Sequence, residues 1–459
     1  MSIFKKITKY KKRIAVIIDG SEKISYSKLI QDSTKVTKKI KSRSLILILA
    51  GNNYETISSY IGLMNKESAI LIIDKNISQN FLYDIVKRYK PNYIFLPKQN
   101  TFLNNYRIFH NFKNYKILKK KINNPIKLNN ELAILLTTSG TTGSKKFVKQ
   151  TYKNYKDNLK KIINSIGIKK NSSVITTLPI SYTFGLSIIN THLLSGASII
   201  LNEFSILNKE FWSLYHKFKP KNFYGVPFIF EMIERIGFTK LFTNNLGVIA
   251  NAGGKLNRDL FLKIANLSKD KKIRFYNMYG QTEATSRMSV LDYRHNLQRP
   301  TSIGKALKGG KFFLLNDKKK RIKKIFEPGN LFYKGKNVTL GYSKSFKDLF
   351  QKDKNKSVIN TGDIAEFDDK GFFYIVGRKK RFIKLFGNRI SLNEIENIIL
   401  KMGFKVRCEN NDEKLMIRHM SNKIKIDIIK KKLSNLLKIN PKYINFKYQI
   451  NLHNKNKSL

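Results

Sequence analysis

Cysteine is nearly missing from this chain. The 459 residues hold one, Cys408, so no intrachain disulfide can form, and a reducing cytoplasm is the expected compartment. Cys408 itself reads as a small buried hydrophobe on a strand. A secretion signal is not expected, because Lys5, Lys6, Lys9, Lys11, Lys12 and Arg13 lead the chain with no apolar stretch of signal-peptide length behind them. Long hydrophobic runs are scarce as well. The interval Asn171–Asn202 carries no Lys, Arg, Asp or Glu and has the length of a membrane span, but Pro179, Gly185, Asn190, His192 and Gly196 interrupt it. It reads as strand, loop, helix and strand in a core, and no transmembrane segment is expected. Acidic residues are the other shortage: 31 against 89 Lys and Arg, a net charge of +58. Such an excess ordinarily points to nucleic acid or an anionic membrane surface. Here no zinc-finger spacing, ribonucleoprotein motif or helix-turn-helix signature accompanies it. The lysines run the whole length beside abundant Asn, Ile, Phe and Tyr, the residues an A+T-rich genome favours, so no specific nucleic-acid partner is expected. Anionic ligands should still be attracted, in a salt-dependent way. Internal repeats and coiled-coil heptads are also lacking.

What is present is enough to fill two cores, since 41% of the residues are hydrophobic and the length exceeds what one core supports. Ser44–Ala50, Asn53–Asn65 and Ser68–Asp74 read as strand, helix and strand. Continuous apolar strands recur at Leu132–Leu136, Val174–Leu178, Ser198–Leu201 and Leu246–Ala250, separated by helical patterns. Unbroken rather than alternating apolar strands predict parallel sheets buried under helices. From about Ser302 short strands such as Lys311–Leu315 and Gly329–Lys334 predict a β-rich subdomain, about 302–378. Beyond Gly377-Arg378-Lys379-Lys380-Arg381 the texture predicts a separate unit, 379–459. In it Ser391 and Glu394 cap a helix with apolar face Ile395, Ile398, Ile399 and Met402 ending at Gly403. Strands at Lys405–Cys408 and Leu415–His419, a helix at Ile426–Leu437 and an alternating strand through Ile444, Phe446, Tyr448 and Ile450 complete a small α+β unit. The fold class is therefore α/β, with residues 1–378 as the large domain.

The most informative segment is Leu135-Leu136-Thr137-Thr138-Ser139-Gly140-Thr141-Thr142-Gly143-Ser144-Lys145-Lys146, an apolar strand running into hydroxyls and glycines and closing on lysine. Such a loop suits a polyphosphate: glycines let the backbone approach, N–H and O–H groups donate to oxygens, and a cation offsets charge. The spacing of Gly140, Gly143 and Lys146 is not that of the Walker loop.

The pattern T-S-G-T-T-G-x-x-K resembles the phosphate-binding signature of the adenylate-forming superfamily, which includes acyl-CoA synthetases, aryl-CoA ligases, luciferases and peptide-synthetase adenylation domains. The resemblance continues in order through Tyr224-Gly225-Val226-Pro227, Asn251-Ala252-Gly253-Gly254, Tyr279-Gly280-Gln281-Thr282-Glu283-Ala284, Thr361-Gly362-Asp363 and Gly377-Arg378. It covers roughly Leu45 to the C-terminus and looks most like a bacterial stand-alone branch. It implies that a carboxylic acid is joined to AMP with loss of pyrophosphate, and that the acyl group then passes to CoA or to the phosphopantetheine of a carrier protein. ATP and Mg²⁺ are the implied cofactors. By the same resemblance Thr138, Ser139, Gly140, Thr141, Thr142, Gly143 and Lys146 hold the β- and γ-phosphates. Lys145 departs from the small apolar residue or proline usual there. Tyr279 lies against adenine, with Ala252, Gly253 and Gly254 opposite and Gly280 beside it. Thr282 donates to the α-phosphate, Glu283 is the Mg²⁺ ligand, Asp363 accepts the ribose hydroxyls, and Arg378 adds a contact near ribose or phosphate.

The family's catalytic lysine sits in a P-x-x-x-x-G-K loop near the C-terminus. Here Leu452-His453-Asn454-Lys455-Asn456-Lys457 lacks the proline and glycine, leaving Lys457 as the first candidate and Lys455 as the second. The resemblance also implies a C-terminal lid that rotates about Lys380 and presents Lys384 and Gly387 to the thiol. The acyl pocket aligns with Leu178–Ser187, where Gly185 replaces the aspartate that pairs with an amino-acid ammonium and Tyr182 replaces a common His. Gly225, Ala252 and Gly280 shape its floor. Two other readings stay open: an adenylate-binding protein without full turnover, favoured by Asn330 in place of the usual Glu, and adenylation of an amino or hydroxy acid.

Overall fold

In a computed structural model the described residues are 3–18, 20–100, 103–122, 126–137, 146–351, 353, 355–378, 382–385, 388–404, 406–411, 414–420, 424–437 and 439–448. The chain divides into two compact units, one built on residues up to Val376 and one beginning at Gly377.

The larger unit holds two extended sheets covered by helices. One has nine strands in the order Lys305–Ala306, Ser289–Leu291, Arg274–Tyr279, Val248–Asn251, Asn222–Gly225, Ser173–Ile175, Ser198–Ile200, Ile14–Ile18 and Glu22–Ser25. From Ile14–Ile18 to Arg274–Tyr279 every pairing is parallel. The other has eight, with a parallel centre of Leu132–Leu136, Ala69–Asp74, Leu45–Ala50 and Tyr93–Pro97. The central strands are buried on both faces, as their unbroken apolar sequences require. Asn53 caps the helix Tyr54–Asn65 by accepting from the Thr56 N–H, which fixes the start of the crossover where the sequence placed it.

Several boundaries move, most of them by one residue; the strand expected to end at Cys408 continues to Asn411, and two others have a local cause. The strand expected at Val174–Leu178 ends at Ile175: Thr176 makes a last backbone bond to the Ile200 carbonyl, its hydroxyl then takes over the pairing with the Asn202 main chain, and Thr177 Oγ1 donates to the Tyr224 carbonyl at 2.5 Å. The strand expected at Leu246–Ala250 begins at Val248, Leu246 being used in a turn closed on Thr243. The β-rich region is a five-stranded sheet in the order Arg321–Ile322, Lys311–Leu315, Gly329–Lys334, Val358–Phe367 and Phe373–Arg378.

The smaller unit has its own core of Ile395, Ile399, Cys408, Leu415, Ile417, Ile429, Leu433 and Ile444. Its helices are Leu392–Leu400 and Ile426–Leu437, and its three-stranded sheet runs Val406–Asn411, Lys414–His419, Ile444–Tyr448. Cys408 is fully buried on the first of these strands. The alternation expected along the last strand fades: Ile444 is buried but Tyr448 is 50% exposed, as an edge strand paired on one side allows. Ile450 and the side chain of Ser391 lie outside the described residues.

Candidate active site

Parallel strands end on one edge, and the segments that follow them gather there. Gly225 pairs with Asn251 and Asn251 with Asn277, so Val226, Ala252–Gly254 and Tyr279–Thr282 leave the nine-stranded sheet side by side. Ala252 is buried, Gly253 is exposed and Gly254 half-buried, consistent with a wall rather than a core. Asn251 Nδ2 donates to Asn277 Oδ1 at 2.8 Å, tying adjacent strand ends together.

After Tyr279 the chain turns sharply. Gly280 is required by close approach: a Cβ there would lie 1.9 Å from the Ser286 carbonyl oxygen and 2.7 Å from Arg287 Cα. The turn is held by Gln150, whose Nε2 donates to the Thr282 carbonyl at 2.9 Å, and by Asn337 Nδ2 donating to the Ala284 carbonyl at 2.9 Å. Thr282 is buried, and its hydroxyl meets that of Thr183 at 3.2 Å, at the start of the helix Thr183–Ser195.

Glu283 is half-buried on the same turn, and its Oε1 accepts from the Tyr342 hydroxyl at 2.6 Å. Burial first, then the charge of Glu283 and this bond, push the Tyr342 phenol far above its ordinary range, so it stays a donor. Lys146 Nζ lies 4.2 Å from the Tyr342 ring centroid. Tyr342 reaches this position because its strand pairs with Phe147–Thr151, Tyr342 opposite Val148. The lysine closing the phosphate loop and the acidic residue of Y-G-Q-T-E therefore meet on one tyrosine. The donor set suits Mg²⁺: a hard carboxylate with Oε2 unpartnered among the described residues. No cluster of three or more His, Cys, Asp or Glu gathers among those residues, so phosphate and water would complete the shell of a metal here.

Tyr279 and Asp363 also come together, the Tyr279 hydroxyl donating to Asp363 Oδ2 at 2.5 Å. Asp363 is buried on Val358–Phe367, with Thr361 Oγ1 accepting from its N–H. One oxygen of the residue expected to take both ribose hydroxyls is thus engaged by the residue expected to face adenine. Asn330 is tied into its own hairpin, donating to the Leu315 carbonyl at 3.0 Å and Asp317 Oδ1 at 3.3 Å.

In the expected acyl-pocket segment, Asn52 accepts from the Ile180 N–H and donates to the Leu178 carbonyl. A Cβ at Gly185 would lie 2.2 Å from the Pro179 carbonyl oxygen. No side chain fits there, so an aspartate is excluded by the main chain itself. Tyr182 lines the opposite side, its hydroxyl 2.7 Å from where a Cβ of Gly253 would stand.

Thr138, Ser139, Gly140, Thr141, Thr142, Gly143 and Lys145, the hinge candidate Lys380, Gly387, and the lysines Lys455 and Lys457 lie outside the described residues, as do the side chains of Lys384 and Arg378. The structure thus brings together Lys146, Thr282, Glu283, Tyr279, Gly280 and Asp363. It adds Tyr342, which no motif marked.

This edge of an α/β fold holds a lysine and an acid on one tyrosine, beside a buried threonine hydroxyl. The AMP-binding enzyme family model matches residues 3–343, and the chain belongs to that family. It is 28% identical over 299 residues to a 2-succinylbenzoate–CoA ligase of Staphylococcus epidermidis, covering 64% of this chain and 60% of the ligase. A Geobacillus ligase of the same name is 27% identical over 276 residues, 59% of this chain and 53% of that protein. The aligned region thus spans little more than half the length of these curated relatives. Among solved structures, o-succinylbenzoate CoA synthetase from Bacillus subtilis bound to a product analogue superposes with a TM-score of 0.75 at 17% identity, covering 98% of this chain and 95% of that one. IdnL1 gives 0.79 at 17% identity, covering 98% and 96%. These show a shared fold. Among the described residues no helix is long and apolar enough to cross a membrane.

Proposed function

We propose that the chain is an ATP-dependent carboxylate–thiol ligase. The observation that carries this reading is the convergence of Lys146 and Glu283 on Tyr342, beside Thr282, in a member of the AMP-binding family. In the first step a carboxylate oxygen of the acid attacks the α-phosphorus in line, the bond to the bridging oxygen breaks, and pyrophosphate leaves. In the second a thiol sulfur attacks the acyl carbon and AMP leaves. Little covalent work falls to the protein, so its contribution is positioning and charge stabilisation.

In this reading Thr138, Ser139, Gly140, Thr141, Thr142, Gly143 and Lys146 hold the β- and γ-phosphates, and Thr282 donates to the α-phosphate. Tyr279 and Asp363 act as a pair on the nucleoside, Ala252, Gly253 and Gly254 form the facing wall, and Arg378 adds a nearby cation. Glu283, aimed by Tyr342, would hold Mg²⁺, which when bound neutralises phosphate charge. The unit 379–459 serves as a mobile lid hinged at Lys380 and brings Lys457 to the reacting oxygens. CoA is the favoured acceptor, because the curated relatives are named as CoA ligases; a phosphopantetheinyl carrier protein is the alternative. The single cysteine supports placement in the cytoplasm.

Exchange of radiolabelled pyrophosphate into ATP, measured with a panel of carboxylic acids, tests the reading. The expected result is exchange that needs both the acid and Mg²⁺. Lys457→Ala should lower it roughly a hundredfold while sparing thiol transfer from pre-made acyl-AMP. A wild-type protein that exchanges with no acid would overturn the proposal.

A further inference from the structure

Arg287 is the largest fully buried side chain of the molecule among the described residues, 2% exposed. It follows the Thr282–Ala284 turn and enters the interior behind the acyl-pocket segment. One nitrogen, Nη1, donates to Ser187 Oγ at 2.9 Å. The guanidinium carbon sits 4.5 Å from the Phe184 ring centroid and 5.9 Å from that of Tyr224. Nε and Nη2 have no hydrogen-bond partner among the described residues.

Those two nitrogens lie on one edge of the planar group, and their parallel N–H bonds form the fork that matches both oxygens of a carboxylate. Among the described residues no carboxylate supplies a counter-charge. The charged or titratable neighbours that act on Arg287 are the phenols of Tyr224 and Tyr182, and burial pulls the guanidinium down to about 10, still charged at neutral pH. His192 nearby is held neutral, its Nε2 facing Asn222 Nδ2 at 3.0 Å and its Nδ1 facing the Ile188 carbonyl at 2.8 Å. The Tyr224 hydroxyl and both polar atoms of Asn190, one turn beyond Ser187, are also buried and meet no partner within 3.5 Å among the described residues, although Tyr224 leans on Asn222 and Asn190 on Tyr60. A buried cation with an open fork, among polar groups without close partners, is costly unless something fills it.

The fork is tied to the nucleotide turn through one helix. Phe184 follows Thr183, whose hydroxyl touches that of Thr282, so the helix that begins at the nucleotide turn carries the residues that hold Arg287 one turn further in. We infer that Arg287 anchors a second carboxylate of the acid substrate, making the substrate class dicarboxylic acids, with one carboxylate presented at Thr282 and the other on the Nε–Nη2 edge. This rests on the ligase reading only for the reacting end of the acid.

The test is calorimetric binding of glutarate, adipate, suberate and 2-succinylbenzoate, each beside its monomethyl ester and, for the aliphatic acids, the monoacid of equal chain length. At least one diacid should bind about tenfold or more tighter than its monoacid and ester. Arg287→Gln should bring that pair within about twofold, and Arg287→Lys, which keeps the charge but not the fork, should fall between. Should either variant not fold, the wild-type comparison decides alone. Equal binding of diacid and monoacid, no binding of any diacid, or an equal loss for both classes in Arg287→Gln would overturn the inference. Pyrophosphate exchange with the same pairs separates the two proposals: absent exchange removes the ligase reading, whereas selective binding of a diacid still establishes the Arg287 site.

Discussion

Lys149 and Arg287 are both buried cations of the larger unit, and their surroundings differ. Lys149, fully buried on an outer strand of the eight-stranded sheet, donates to the carbonyl oxygens of Asp348 and Gln351 at 3.1 and 3.3 Å. It closes the loop that follows Tyr342–Ser343 onto the sheet. Arg287, beside the site edge of the nine-stranded sheet, spends one nitrogen on Ser187 and leaves two unpaired among the described residues. A buried charge whose donors end on the protein's own carbonyls is architecture. One that keeps an open edge weakens the resting fold and gains only when another molecule arrives.

The comparison can be broken in several ways. The largest effect is expected at the site edge, where Glu283→Ala should reduce pyrophosphate exchange by roughly a thousandfold with an unchanged thermal midpoint. Tyr342→Phe, which only frees the carboxylate to turn, should cost about tenfold. Exchange at the wild-type rate in Glu283→Ala would detach the edge from catalysis. Next comes acid. Burial first, and the charge of Arg287 in addition, lower His192 to about 4 from its ordinary 6.5, so the unfolded chain binds the extra proton between those values. Stability should therefore fall as pH drops from 6.5 through 4, by about 3 kcal/mol in all, and His192→Gln should flatten that part of a denaturation series. A profile identical in the variant would contradict it.

The smaller effects separate the two cations directly. Lys149→Met removes the donor shared by the Asp348 and Gln351 carbonyls, the second of which keeps among the described residues only a long bond from Asn129, and should cost about 2 kcal/mol in urea unfolding. Arg287→Met, which removes unpaired donors, should leave stability unchanged or raised. If both variants destabilise alike, Arg287 is architecture too.

Leu132–Leu136 was legible because burial on two faces writes itself as an unbroken apolar run; the part-buried strands Lys311–Leu315 and Gly329–Lys334 and the amphipathic helix Ile426–Leu437 also fall where the sequence placed them. Phe147–Thr151 was not legible. Its Lys149 and Gln150 look like surface residues, and they are satisfied by distant loops and, for Gln150, by the Tyr155 hydroxyl of the next helix as well. Tyr106–Phe112 escaped for the opposite reason, being an edge strand with mostly exposed side chains. Motif residues such as Glu283 and Asp363 could be named because they sit in local strings. Tyr342 depends on a strand pairing between distant parts of the chain, and the open fork of Arg287 is a matter of which partners are missing, which no string records.

Gly185 carries a lesson for redesign. Introducing an aspartate to attract an amino-acid ammonium is the obvious way to retarget such a pocket, yet any side chain at 185 collides with the Pro179 carbonyl. Relieving that collision means moving the segment from Leu178 to Tyr182, which Asn52 ties to the chain leaving Leu45–Ala50 in the other sheet. Under the proposed function, selectivity against α-amino acids would thus be stored in main-chain path and shared between both sheets, so it should resist single substitutions and yield only to replacement of the whole loop together with its Asn52 anchor.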